Sequence, residues 1–351
     1  MKRRKEIEAI AVAPRGQIVS TLILDGDVLW ASAQGSAHAR LARGDLSKVV
    51  TGADIGYLVG RVARGVVASA RGETQVVRRE DGQTAWVLPY ERGCLQAWIW
   101  RNYVLILRSR SIEFRHADTG EVEAVMDLRR QAAGGGYLSS SDGVLVVCGE
   151  DDLLFAVNLA SGEELWAASV ARTLNERWSV PFPKYGVSFE STESTFGQVA
   201  FYSTVTFSWS VLDGSVRWVS SARGENPSWP TVSGGRVYGM GGAAPKEGEQ
   251  FRGPSAVFAL DESTGAELWR TEVPKEFNAC FRPKSGVAYR NRLAMPFETG
   301  QVAVLDVESG EVVCYYKGGV PLWKALEVDG HLLVATGDGT LLVFDESIWG
   351  L

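Results

Sequence analysis

The chain alternates short apolar runs with polar punctuation. It shows no sustained 3.6-residue periodicity. Tyr103 to Leu107, Val144 to Cys148, Arg236 to Tyr238 and Leu332 to Ala335 are rich in β-branched or aromatic side chains and are bounded by Gly, Asp, Asn or Pro. Runs of this length between turn residues read as strands. No stripe of ten or more residues combines helical spacing with a plausible cap, so no helix is expected. The pattern predicts an all-β chain.

The strands recur as a unit. Each copy ends in a hairpin that carries Gly and, four residues later, Trp: Asp81-Gly82 with Trp86, Gly162 with Trp166, Asp213-Gly214 with Trp218, and Asp261 to Gly265 with Trp269. Degenerate copies keep the hairpin and lose the indole: Gly120 with Ala124, Gly310 with Cys314, and Gly44 with Lys48, while Phe344-Asp345 begins a last copy. Successive glycines lie 38, 38, 42, 52, 51 and 45 residues apart, so eight units of about 44 residues share the 351 positions. That period belongs to propeller blades. The expectation is therefore a single domain over 1–351, a closed β-propeller of about eight four-stranded blades. Glycine supplies the positive φ of a tight reversal, and the aspartate before it accepts backbone N–H groups across the turn. The indole offers a broad apolar face to the neighbouring blade. An open array would leave sticky edges. The orphan strand Glu6 to Ala13 is accordingly expected to pair with the last unit, which has too few strands of its own. Asp25-Gly26 and Asp329-Gly330 read as equivalent turns within their units.

Composition narrows the function. With 45% hydrophobic and 22% charged residues, the chain has the make-up of a soluble globular protein. Neither half carries a basic surplus, so phosphate neutralisation is not its business and nucleic acid is not an expected partner. No apolar run approaches the length of a membrane span. Lys2-Arg3-Arg4-Lys5 is followed by Glu6 and Glu8 rather than by an apolar signal core, which makes the cytoplasm the expected compartment. The basic run reads first as a solvated terminus and second as a contact for acidic lipid or a partner. Cys94, Cys148, Cys280 and Cys314 are widely spaced, form no CxxC pair, and read as buried strand residues.

Several motifs fail on context. Gly239 to Ala244 matches a dinucleotide fingerprint, but Pro245, Gly248 and Pro254 stand where its helix should begin. Glu150-Asp151-Asp152 lacks the spaced ligands of a calcium loop. His38, His116 and His331 fall in three different units without metal-ligand spacing. Ser139-Ser140-Ser141 has no nearby His and Asp arrangement. No catalytic residue, metal site or cofactor is predicted.

Ala259-Leu260-Asp261-Glu262-Ser263-Thr264-Gly265-Ala266-Glu267-Leu268-Trp269 resembles the repeat of the quinoprotein-like (PQQ-repeat) propellers, roughly A-L-D-x-x-T-G-x-x-x-W. Ala156 to Trp166 and Val304 to Gly310 are further copies. The family spans pyrroloquinoline-quinone alcohol dehydrogenases and a lipoprotein of outer-membrane β-barrel assembly. The resemblance implies an eight-bladed disc with a central channel. It implies no shared activity, because the adjacent cysteine pair of the dehydrogenases is missing here.

Two features remain as candidate sites. The longest excursions between strands are Ala171 to Gly197 and Gly239 to Ser255. The first carries Trp178, Phe182, Tyr185 and Phe189, residue types favoured as interface anchors. These four are the expected contacts for a protein partner, which makes a non-enzymatic binding module or scaffold subunit the leading functional expectation. The second feature is an aromatic placed just before the innermost-strand candidate of several units: Trp98, Trp229, Phe281 and Trp323. These would line a channel mouth and take a small-molecule ligand, the alternative expectation being an enzyme or receptor. Packing between blades is the competing reading of the same four.

Overall fold

A computed structural model of the chain describes residues 8–13, 19–33, 37–54, 57–70, 73–89, 94–139, 142–151, 153–180, 190–194, 197–202, 205–220, 230–241, 256–274, 277, 286–297 and 299–350. These form eight antiparallel sheets of four strands each, arranged as a ring. Seven sheets use four consecutive strands. The strands of a blade are called a to d in chain order. Blade 1 spans Val19 to Asp54, blade 2 Tyr57 to Pro89, blade 3 Cys94 to Asp127 and blade 4 Ala132 to Ala168. Blade 5 spans Glu190 to Ser220, blade 6 Thr231 to Glu272 and blade 7 Val287 to Lys317.

Blade 8 has only Leu322–Val328, His331–Thr336 and Thr340–Phe344 in sequence order, and its fourth strand is Glu8–Ala11 from the other end of the chain. Glu8 pairs with Val343 and Ala11 with Thr340. The expected closure by the orphan strand is thus observed, and it removes the edge that an open array would expose. Strand a of blade 8 meets strand a of blade 1, as the a strands of most other successive blades meet each other around the axis.

The cores lie between blades. One cluster joins Leu105 and Phe114 of blade 3 to Leu145 and Phe155 of blade 4, and another joins Leu29 and Leu41 of blade 1 to Leu333 and Leu341 of blade 8. The strongest apolar runs prove to be b strands. Tyr103–Arg108, Val144–Gly149, Arg236–Gly241 and His331–Thr336 pair on both sides and bury both faces, so they read as continuous hydrophobic runs. The innermost strands come one element earlier and are weaker in sequence; Ala132–Ser139 contains three glycines. The sequence therefore places the axis one strand too far along in blades 3, 6 and 8.

Antiparallel order puts the a–b and c–d turns at one face of the disc and the b–c and d–a connections at the other. Charged pairs confirm the first face. Arg79 of a c–d turn reaches Asp25 of the preceding blade's a–b turn at 2.5 and 2.7 Å, and Arg43 reaches Asp329 likewise. Arg236 and Glu308 repeat the contact with signs reversed.

One element departs from expectation. Val170–Trp178 is a helix between blades 4 and 5. Ser169 caps it by accepting the Arg172 N–H at 3.1 Å, and Ser179 ends it in the left-handed region. Val170, Ala171 and Leu174 are buried against Phe207 and Trp209 of blade 5. Nine residues make only two and a half turns, below the length at which a helix stands alone, so tertiary packing rather than pattern fixes this helix. Strand Glu190–Ser194 also lies inside the excursion read as one long loop. Among the described residues no helix is long and apolar enough to cross a membrane.

Candidate functional site

The repeated Gly and Trp act across blades rather than within one. The indole of Trp86 lies over Gly120 of the next blade, Trp166 over Gly214, Trp218 over Gly265 and Trp269 over Gly310. A Cβ at Gly120, Gly214 or Gly310 would stand 2.7, 2.8 or 2.5 Å from the covering ring, so only glycine lets the ring approach. Each of these glycines also has φ between +71 and +75°. Each indole Nε1 then donates to a carbonyl of that next blade: Ala117 at 2.8 Å, Val211 at 2.7 Å, Glu262 at 2.9 Å and Val307 at 2.9 Å. The 1/2 boundary uses Arg40 instead. Its guanidinium lies over Gly82 and donates to the Asp81 and Arg79 carbonyls at 2.8 and 3.2 Å.

Two boundaries on the same face stay open. At 3/4 the tryptophan position is Ala124, and a Cβ on Gly162 would meet only Met126 at 3.7 Å. At the same boundary a cleft of about 310 Å³ is lined by Trp100, Arg101, Asp142 and Asn158 among others, and neither Ala124 nor Gly162 is part of that lining. Arg101 stacks on Trp100 with its guanidinium 4.4 Å from the ring centre. At 8/1 Gly44 has no described atom within 4 Å of a built Cβ, and a cleft of about 680 Å³ is lined by Arg43, Asp45, Val328, Asp329, His331 and Asp345. Hydrogen bonds from Arg43 hold the Asp329 carboxyl below its ordinary pKa. Ser47 and then Lys48 do the same for Asp45.

The expected partner contacts divide. Trp178 ends the helix, half-buried against the core between blades 4 and 5, with the Arg177 guanidinium 4.9 Å from its ring centre. Phe182, Tyr185 and Phe189 lie outside the described residues. The four longest connections, over 168–190, 220–231, 241–256 and 272–287, all begin and end at the face opposite the charged pairs. Both excursions singled out in the sequence are among them.

Of the expected channel residues, Trp98 sits on strand a of blade 3, buried in the core shared with blade 4. Trp323 is on strand a of blade 8 and half-buried, its Nε1 3.2 Å from where a Cβ on Gly337 would stand. Trp229 and Phe281 lie outside the described residues. Next to Trp323, burial pushes the Lys324 ammonium below its ordinary pKa. Sequence reasoning missed Lys324 because a lone lysine in a weakly patterned strand carries no motif. It missed Arg40 because the glycine it covers is 42 positions away.

The failed motifs sit in ordinary places. Gly239 to Gly241 belong to a b strand, Glu150 and Asp151 form a b–c turn, and His38, His116 and His331 lie in blades 1, 3 and 8. Among the described residues no three His, Cys, Asp or Glu side chains group as metal ligands.

The sequence model of the family described as outer membrane protein assembly factor BamB matches residues 176–318 and 253–348. The chain resembles the PQQ-repeat β-propeller family. A BamB of Shewanella oneidensis is 32% identical over 96 residues, a match that spans 25% of this chain and 24% of that protein. This chain thus aligns with about a quarter of that relative's length. Among solved structures, BamB from Moraxella catarrhalis superposes with a TM-score of 0.66 at 15% identity, covering 95% of this chain and 100% of that one. A computationally designed protein, Ika8, gives 0.69 at 14%, covering 96% and 98%. At such identities the PQQ-repeat likeness to solved structures is one of fold. A computationally designed protein thus shares the fold, and fold by itself assigns no function.

Proposed function

We propose that this PQQ-repeat propeller is a non-enzymatic scaffold that docks a protein partner through the connections of its loop-bearing face. The observation that carries the reading is that the four longest connections, from blade 4 through to blade 7, emerge side by side on that face of a rigid ring. The likeness to relatives described as outer membrane protein assembly factors supports a role in assembly. Phe182, Tyr185 and Phe189 are the proposed anchors, because aromatic side chains on a rigid support bind at low entropic cost.

The test is quantitative co-purification with the intact chain and with the triple variant Phe182→Ala, Tyr185→Ala, Phe189→Ala. A partner enriched by the first and reduced at least about tenfold with the second supports the reading. Equal capture by both, or no enrichment over an unrelated propeller, removes it. Trp178 is left intact because it also packs against the core. Cell fractionation distinguishes the cytoplasm, which the sequence leads one to expect, from the outer membrane named in the relatives' description.

A second reading, a ligand site at the axis, draws on one observation: Lys324, with its depressed pKa, stands beside Trp323 on the innermost strand of blade 8. Burial that disfavours the ammonium favours attack of the amine on an aldehyde. Selective labelling of Lys324 by pyridoxal phosphate, ahead of Lys48 and Lys317, would support this reading, and random labelling would remove it.

A further inference from the structure

Among the described residues, three seams on the face opposite the long connections carry a charged pair, and the 3/4 seam carries half of one. Arg79 and Arg43 project from the c–d turns of blades 2 and 1. There each backbone N–H donates to the carbonyl just before strand b, that of Arg64 or Asp27. Their guanidinium groups reach Asp25 and Asp329 of the preceding blades. In blade 4 the same backbone bond runs from Leu159 to Gly143, so a buried leucine holds that position. The position after it, which in blade 7 is Glu308 paired with Arg236, is Ala160 in blade 4. On the blade 3 side Arg101 stands where blade 8 has Asp329. Each opens the turn between the paired ends of strands a and b, at φ +54 and +52°. A cation is thus matched with two apolar positions. Among the described residues Arg101 forms no ion pair, and its guanidinium rests 4.4 Å from the Trp100 ring centre.

A second replacement points the same way. Asp261 and Asp306 each open a c–d turn by accepting two backbone N–H groups through Oδ1. Asn158 holds that position in blade 4 and accepts from Ala160 and Ser161 at 2.9 and 3.0 Å. The turn is made alike, so the local backbone gives no reason for the amide. What changes is the other end of the side chain: an oxygen that would repel an anion becomes an NH2 that donates to one. Asn158, Arg101 and Trp100 line one cleft of about 310 Å³. The carboxylate of its described lining, Asp142, accepts the Ser139 hydroxyl at 2.9 Å. Trp100 is buried, stacked by Tyr103 and met edge-on by Phe114, so the platform under the guanidinium is fixed.

We propose that this cleft binds a carboxylate, which pairs with Arg101 and accepts from the Asn158 amide, replacing the partner that other seams supply from within the chain. The planar guanidinium takes a carboxylate through two parallel N–H bonds. The volume stands at the lower end of small-ligand sites, about 300 to 1,000 Å³. It suits one acidic side chain or one small dicarboxylate. The site is on the opposite face from the proposed partner loops and stands or falls apart from them.

Isothermal titration of the intact chain tests it, with glutarate as one probe and the capped peptide acetyl-Ala-Glu-Ala-amide as the other. Saturable binding of either, weakened at least about tenfold by Arg101→Gln and by Asn158→Asp, is the expected result. Tighter binding of glutarate assigns the site to small dicarboxylates, and tighter binding of the peptide assigns it to an acidic side chain of a protein. Asn158→Asp is the decisive variant, because aspartate makes the same turn in blades 6 and 7. An asparagine with a merely structural role would lose nothing by it. Should Arg101→Gln fail to fold, Asn158→Asp decides alone. No binding of either probe at millimolar concentration overturns the proposal. So does equal binding of acetyl-Ala-Gln-Ala-amide, or binding that Asn158→Asp leaves unchanged.

Discussion

At the 4/5, 5/6 and 6/7 boundaries an indole lies on a glycine of the next blade and donates to a carbonyl close by. At 3/4 and 8/1 the same register holds Ala124 and Glu8, and at 8/1 a cleft of about 680 Å³ reaches the glycine, Gly44. Ring and glycine are therefore a matched pair. The glycine omits a Cβ so that the ring can approach, and the ring fills the space the glycine leaves. Where the ring is missing, a Cβ on the glycine would meet no described atom closer than 3.7 Å, at Gly162 as at Gly44. The 1/2 boundary shows that what matters is cover plus a donor, since Arg40 supplies both without an indole.

The largest expected effect comes from removing a clamp. Trp218 is 7% exposed and donates to the Glu262 carbonyl at 2.9 Å. Trp218→Ala is expected to cost about 4 kcal/mol, through lost burial, a cavity and an orphaned carbonyl. Denaturant unfolding checks it, and a loss below about 1 kcal/mol would mean that the clamp is decorative. Gly265→Ala attacks the same pair from the other side. It forces an alanine to φ +73° and drives its Cβ into the Trp218 ring, for an expected cost of about 3 kcal/mol.

Gly162→Ala separates the two components of that cost. Its φ is +76°, but the nearest described atom to a new Cβ is Met126 at 3.7 Å, an ordinary contact. Only backbone strain remains, so about 1 kcal/mol is expected. Equal losses at Gly162 and Gly265 would show that the indole yields freely, and would break the comparison.

The hairpins, the period and the closing strand were legible because they rest on local chemistry: a turn residue, a four-residue spacing, an orphan strand in need of an edge. The receivers of the tryptophans were not. Trp166 finds Gly214 and Trp218 finds Gly265 only after the ring has brought together positions more than forty apart. The innermost strands were misplaced because burial on both faces makes b strands the loudest apolar runs, while glycine-bearing a strands such as Ala132–Ser139 are quiet. The helix Val170–Trp178 was hidden by its length. The aromatics proposed as partner contacts were assigned by residue type alone, and the structure adds only that the described ends of the longest connections share one face.

The seam also predicts an acid response smaller than any of the above. Arg43 stabilises the ionised form of Asp329, whose folded pKa is thus below its unfolded value. The linked contribution is present above the ordinary carboxylate range and is lost as pH falls through the folded pKa. Asp329→Asn should remove that part of the acid sensitivity and leave stability at neutral pH little changed, since the pair is solvent-exposed. Unfolding curves at neutral pH and at about pH 3, for both chains, decide it.

The smallest effect is expected at Gly44, and it is the sharpest check on the comparison. Unlike the clamped glycines, Gly44 is absent from the positive-φ positions of the described residues, so alanine meets no backbone strain there. Nor does a built Cβ approach any described atom within 4 Å. Gly44→Ala should therefore change stability by less than about 0.5 kcal/mol, and the lower entropy of the unfolded chain could even make it stabilising. A loss of 2 kcal/mol or more, on the order of that expected for Gly265→Ala, would mean that something covers Gly44 after all.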